Sequence, residues 1–190
     1  IRISNEVWFR LGDMTLAEHS AILGMIFSPN NRSSRMIKRM AEINLIKGDE
    51  QAAHKFLKIL LQTRFHRKWA ERHMPGNDGN LSDEWLEQNR ANISQTDIIR
   101  TANDYPTALR QLIHSNPSNL KAIDYLLCYS LLNKDIPAFV DDYRRYALIH
   151  PEITCRLYSE ALMIYLFINK ATLEELREYR IDPRIISEFT

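Results

Sequence analysis

The sequence is short of glycine. Five glycines in 190 residues leave too few sites for the tight, positive-φ turns of a strand-and-hairpin protein, which argues against a sheet-based architecture. Cysteine is scarce as well: Cys128 and Cys155 have no CxxC spacing and both fall in apolar runs. Two buried free thiols are the expectation, ahead of a disulfide, and the redox compartment stays open. Long apolar runs are missing. The stretch from Leu157 to Ile168 is interrupted by Ser159 and Glu160 and is too short to span a bilayer, so it is expected to form a buried core helix. No signal peptide is visible, and the opening IRISNEVW lacks an initiator methionine, which leads us to expect a piece of something longer.

The signatures of catalysis are missing too. The six histidines, His19, His54, His66, His73, His114 and His150, form no HExxH or HxxxH pair. His66 and His73 are two helical turns apart, but no cysteine or carboxylate completes a ligand set, so no metal is expected. There is no GxSxG elbow, no GxxxxGK[ST] loop and no GxGxxG, and no cofactor is expected. NDGNLSDE has a superficial likeness to a calcium loop but lacks the twelve-residue spacing and the final glutamate; it reads as a polar loop leading to Ser82 as a helix cap. The carboxylates of Asp83-Glu84-Glu87, Asp141-Asp142 and Glu174-Glu175-Glu178 lie on otherwise polar helix faces. Acid–base catalysis needs two carboxyls held in a cleft with separated pKa values, so solvated faces are the plainer account.

What is present is a soluble composition, 45% hydrophobic and 26% charged, in a length that fits one domain or two small ones. The net charge of +1 conceals an asymmetry: Arg32 to Arg72 holds eleven Lys and Arg against four Asp and Glu, a net of +7. Such a split marks either a partner surface or solvated helix faces. Apolar periodicity is helical nearly throughout. Ile37, Met40, Ala41 and Asn44-Leu45 recur on one face, and Ala52, Ala53, Phe56, Leu57 and Leu60 on another. Between them, Gly48 fits a left-handed helix end and Asp49 an N-cap. AEINLIKGDEQAA therefore predicts a helical hairpin, with Ala41 and Ala53 letting the two backbones approach. A helix is also expected over TLAEHSAILGMIF, with Thr15 and Glu18 as a capping box. Others follow in RKWAERH, SDEWLEQNR, Tyr105 to His114, Leu120 to Leu132 and EITCRLYSEALMIYLFINK, the last with apolar residues on more than one face and so expected to be buried between neighbours. Two short helices near Leu173 and Ile185 would close the chain, and ISQTDIIRTAND is ambiguous.

With Gly48 set at position 15, Ala41 and Ala53 fall at positions 8 and 20, and in this the segment resembles the 34-residue tetratricopeptide repeat. Pro117 and Pro151 are 34 residues apart, each ahead of an expected helix. They bracket a degenerate second unit with Leu127 and Phe139 where small residues would be usual, and a second-helix face of Ile136, Phe139, Val140, Tyr143 and Ala147. The longer pattern NEVWFRLGDMTLAEHSAILGMIFSPNNRSSRMIKRMAEINLIKGD is similar to an uncharacterised family of bacterial multi-pass membrane proteins whose C-terminal region is soluble and tetratricopeptide-like. That resemblance implies tethering to a bacterial membrane on an unspecified side. It supplies no activity.

The expected fold is therefore all-α: about eight to eleven helices in antiparallel hairpins, stacked as a short right-handed tetratricopeptide-like solenoid. Residues 1–74 would hold the first hairpins and one repeat-like unit, 75–81 a loop, and 82–190 the remaining hairpins with a second unit. The expected function is non-catalytic, a protein-interaction or scaffolding region of a membrane-anchored protein whose protein or peptide partner is unspecified. Exposed polar residues on first helices are the candidate contacts: Arg35, Lys38, Arg39 and Glu42, with Lys121, Asp124 and Tyr125 from the later unit. Two alternatives stay open, an accessory region of an enzyme whose catalytic part lies upstream, and a basic helical nucleic-acid-binding module. The run RFHRKWAERH, with Arg32, Arg35, Lys38 and Arg39, could meet phosphates or anionic headgroups. Against this, nucleic acid is disfavoured by the small net charge and by Phe65 and Trp69, whose i, i+4 spacing predicts that both face the core.

Overall fold

The computed structural model describes residues 2–29, 33–75, 84–94, 104–170, 178–179 and 181–189. The expected cap at Ser82, the loop MPGNDGN beyond Pro75, nearly all of ISQTDIIRTAND, Arg32 and the helix near Leu173 lie outside the described residues. Among those described, all regular structure is helical. The chain divides into two compact units, one of residues 1–99 with 115–119 and one of 100–114 with 120–190.

In the first unit, α1 (Arg2–Arg10) and α2 (Met14–Ile26) are joined by a turn through Gly12 at φ +81°. The Asp13 carboxylate caps α2, accepting from the Leu16 N–H at 2.9 Å. The capping box expected at Thr15 is corrected by this: the helix starts earlier, because Gly12 makes the bend and the next residue already carries a cap side chain. Glu18 pairs instead with Lys47. Helix α3 (Ser34–Lys47) is capped by Ser33 and ends at Gly48, φ +78°. The Asp49 N–H bonds back to the Asn44 carbonyl at 2.9 Å, a Schellman closure that places glycine where a Cβ would be strained. Asp49 then caps α4 (Glu50–Leu61) through the Ala52 N–H at 2.9 Å. Ala41 and Ala53 are both buried, and Ala41 sits in a cluster with Leu57, Leu60 and Ala70. The α3–α4 hairpin is thus closed by caps at its turn and small side chains beside it.

Helix α5 (Arg67–His73) adds Trp69 and Met74 to that cluster, and α6 (Glu84–Ala91) brings Trp85 and Leu86 against Phe9, Met14, Ala17, Ile43 and Ile46. Two asparagines lock the back of this unit. Fully buried Asn119 donates through Nδ2 to the Leu11 and Asn92 carbonyls at 2.8 and 3.1 Å, and Asn116 donates to those of Ala91 and Ile93 at 2.9 and 3.0 Å. Each satisfies backbone oxygens that the α1–α2 turn and the end of α6 leave without helical partners.

The second unit holds α7 (Tyr105–Ser115, all but its last residue), α8 (Leu120–Leu132) and α9 (Ile136–Asp142), the last capped by Asp135. A π-helical turn, Tyr143–Ala147, follows without interruption, then α10 (Arg156–Ile168) and α11 (Pro183–Phe189). The Phe139, Val140, Tyr143 and Ala147 face is buried as expected, and the Phe139 ring packs on Tyr143 and Tyr158 with centroids 5.8 and 5.7 Å apart. Arg110 on α7 forks onto Asp142 with bonds of 3.0 and 2.8 Å.

Pro117 and Pro151 lie in the turns ahead of α8 and α10, each preceding a helix as expected. Other expectations fail in the second unit. Cys128 is half-buried and Cys155 exposed, because Cys155 is the N-cap residue of α10 and lies outside the helix interior. Helix α10 is not enclosed: Leu157, Ile164, Phe167 and Ile168 are exposed while Tyr158, Ala161, Leu162, Met163 and Leu166 are buried. Its apolar content covers two faces, and only one of them is packed.

Candidate interaction site

Helix α3 carries Arg35, Lys38, Arg39 and Glu42 at i, i+3, i+4 and i+7, a spacing that sets all four on one stripe. They border a cavity of about 450 Å³ together with Glu6 of α1 and Phe65 and His66 of the α4–α5 turn. The four do not have equal standing. Arg39 turns inward: Nε donates to Asn5 Oδ1 at 3.1 Å, Nη2 to Glu6 at 2.6 Å, and Nη1 lies 3.0 Å from Glu42. Its guanidinium also sits 3.6 Å over the Phe9 ring, so one face of the group and all three of its nitrogens are engaged. Glu42, only 8% exposed, divides its two oxygens between Lys38 at 2.9 Å and Arg39. The expectation that all four are exposed is therefore corrected for Arg39 and Glu42. Arg39 ties α3 to α1, and Glu42 braces Arg39 and Lys38 along α3.

Arg35 is the opposite case. Its side chain is 62% exposed, and its closest carboxylate contact is a long 3.8 Å to Glu6. Glu6 is already engaged by Arg39 and, at 2.9 Å, by Arg10. Lys38 is half-buried, holding Glu42 and resting 4.8 Å over the Trp69 ring. Phe65 is 85% exposed, which corrects the expectation that it faces the core. The turn spanning Thr63 to His66 separates α4 from α5, so residues 65 and 69 share no helical register. Trp69 alone packs inward, beside Leu57 and Leu60.

Arg10, Arg35, Lys38 and Arg39 face two carboxylates, Glu6 and Glu42, leaving an excess of two positive charges. The ionisations follow. Burial opposes ionisation of Glu6, but the Arg10 hydrogen bond and the charges of Arg39, Arg10 and Arg35 outweigh it and lower its pKa. Burial lowers the Arg39 pKa against the pull of Glu42 and Glu6. His66 is also lowered, first by burial and then by Lys38, with Glu42 opposing.

Lys121, Asp124 and Tyr125 are exposed on α8, in the other unit. Lys121 and Asp124 border a second cavity of about 230 Å³ with Glu152 and Tyr158; Tyr125 does not line it. Asp124 accepts the Tyr158 hydroxyl, which also lies 3.2 Å from Cys128 Sγ. Burial and the Asp124 hydrogen bond raise the Tyr158 pKa, so the hydroxyl stays a donor. A larger cavity of about 490 Å³ is bordered by Cys155, Ser159 and Arg156, the last already held by Glu160 and Glu188 at 2.7 Å each. Among the described residues, no group of three or more His, Cys, Asp or Glu could hold a metal ion.

Glu6, Asn5 and Phe9 escaped the sequence reading as parts of the site. The only local trace was the Glu6–Arg10 spacing of four; the contacts that matter span 33 and 34 residues. Chemically, the α3 cavity offers a guanidinium with spare donors, an ammonium and an aromatic ring around a concavity.

The class defined by these features is an all-helical protein. The chain belongs to a family of unknown function, DUF6057, whose match spans residues 1–190. No curated protein and no solved structure matches it. No helix among the described residues is long and apolar enough to cross a membrane.

Proposed function

We propose that this chain is a non-catalytic protein-interaction or scaffolding region, built from tetratricopeptide-like antiparallel helical hairpins stacked in a short right-handed solenoid. We propose further that it is tethered to a bacterial membrane through a segment upstream of Ile1. The observation that carries the interaction reading is the juxtaposition of Arg35, exposed and only distantly paired, with exposed Phe65 at one cavity. Arginine and aromatic side chains are the types that dominate binding energy in protein interfaces. An aromatic ring left in water at a turn carries a hydrophobic cost that a docked partner would relieve. The capped α3–α4 hairpin with its alanine contacts supports the repeat-like arrangement.

A photo-crosslinking amino acid at Phe65, with a second at exposed Leu132 as control, tests the reading in extracts of the source organism. A discrete protein adduct specific to position 65 is the expected result. Identical adduct patterns at both positions, or none at 65, would refute it. Several apolar segments of about 20 residues encoded upstream of Ile1 would support tethering; a catalytic domain there would overturn the scaffold reading.

A further inference from the structure

Resting on the interaction reading, we propose that the α3 cavity takes a protein segment in which one carboxylate-bearing residue adjoins an aromatic or aliphatic one, the carboxylate meeting Arg35 and Lys38 and the apolar side chain covering Phe65.

Charge is the first argument. Of the four cations, Arg39 is largely buried against Asn5, Glu6 and Glu42, and Arg10 does not border the cavity, whereas Arg35 has its carboxylate contact at 3.8 Å and Lys38 has one at 2.9 Å. The spare donor capacity is therefore at Arg35 and Lys38, one helical turn apart on the same stripe. A carboxylate brought there would gain charge-assisted hydrogen bonds, and a guanidinium can present two parallel donors to it.

The second argument is what the floor excludes. Glu6 and Glu42 sit between the cations, so a chain of closely spaced phosphates would meet two carboxylates wherever it met the arginines. Around the cavity a single aromatic, Phe65, is exposed, whereas single-strand nucleic-acid grooves stack successive bases on successive rings. A bilayer is flat and would not enter a concavity of about 450 Å³. One anionic side chain with an apolar neighbour has the matching charge, size and polarity.

The test uses the whole 190-residue chain, isotope-labelled for NMR, titrated with the peptide Gly-Ser-Gly-Phe-Glu-Gly-Ser-Gly blocked at both ends. The order Glu-Phe and the counterparts carrying Gln for Glu or Ala for Phe complete the peptide set. Shifts confined to Arg35, Lys38, Phe65 and His66 are expected with at least one order of the pair. Affinity should fall about tenfold or more on Glu to Gln, the loss of one charge-assisted contact. Arg35→Ala should weaken binding comparably and Arg35→Lys less; the Arg35 side chain is exposed, so the spectra elsewhere should stay unchanged. The same protein is mixed with phosphatidylcholine–phosphatidylserine vesicles. No shifts at the four residues, equal affinity for the Gln counterpart, or shifts there with vesicles but not peptides would each overturn the inference. A Phe65 adduct that forms in extracts while the Gln peptide binds equally well would sink this inference and leave the interaction reading standing.

Discussion

Gly12 and Gly48 have nearly the same backbone, φ +81° and +78°, and opposite surroundings. A Cβ on Gly48 would meet nothing within 4 Å, whereas on Gly12 it would stand 1.8 Å from the Asn92 carbonyl oxygen and 2.6 Å from its carbon. Gly48→Ala should therefore register only the left-handed conformation, about 1–2 kcal/mol. Gly12→Ala carries that same cost and must also move backbone by more than an ångström, since no flexible side chain can give way. The movement threatens the Ser94 N–H bond to the Gly12 carbonyl at 3.2 Å and the buried Asn119 bond to Asn92 at 3.1 Å. Two hydrogen bonds at about 1 kcal/mol each, added to the conformational cost, give roughly 3–4 kcal/mol for Gly12→Ala. Both positions lie in the same unit, so urea unfolding followed by tryptophan fluorescence compares them directly. Equal losses for the two variants would refute the reasoning, because they would mean the close approach of the α1–α2 turn to Asn92 contributes nothing.

Three further outcomes follow from the geometry. Lys134 closes α8 at φ 60° with the Asp135 N–H bonded to the Ser130 carbonyl at 2.9 Å, the position glycine holds at residue 48; Lys134→Gly should raise stability by up to about 1 kcal/mol in thermal unfolding. The Arg110–Asp142 pair is asymmetric, Arg110 being 37% exposed and Asp142 3%. Arg110→Met strands a buried carboxylate and should cost about 3–5 kcal/mol, against about 1–2 kcal/mol for Asp142→Asn, which frees an arginine to reach water; denaturant titration that ranks them the other way would be decisive against this account. Glu6 has a folded-state pKa below its ordinary 4.5, so its contribution is fully present above pH 4.5 and disappears as pH falls through the lower folded value. Glu6→Gln should flatten the acid limb of the stability–pH curve there.

Local chemistry made much of the helical order legible. The Gly48-Asp49 hairpin, helix α5 and the limits of α8 follow from caps, turn residues and the 3.6-residue period, all of which act within a few positions. What escaped depends on distance along the chain or on competition between local signals. Thr15 looked like a cap because it precedes an apolar run, yet Gly12 opens the turn and Asp13 takes the role. Phe65 and Trp69 had helical spacing, and the turn between α4 and α5 removed the helix on which that spacing depends. The π-helical turn after Asp142 has no signature in the residues YRRYA.

The candidate site was legible as a stripe but not as a hierarchy. Spacing alone puts Arg35, Lys38, Arg39 and Glu42 on one face of α3, and nothing in their types separates a free cation from a committed one. The separation comes from α1: Asn5, Glu6 and Phe9 supply an acceptor, a carboxylate and a ring that together absorb Arg39. Glu42 serves Lys38 and Arg39 together, four and three residues away on the same helix, with one oxygen to each. Arg35 keeps its donors for the converse reason, since Glu6 is occupied by closer partners. If this hierarchy is right, Glu6→Gln should weaken the α1–α3 contact while strengthening anion binding at Arg35, because it removes the competing carboxylate. Arg39→Met should damage stability without removing a ligand contact. A loss of peptide affinity from Glu6→Gln in a protein that remains folded would show that Glu6 holds the cations in place for the ligand, and the division between internal and free charges drawn from α1 would fail.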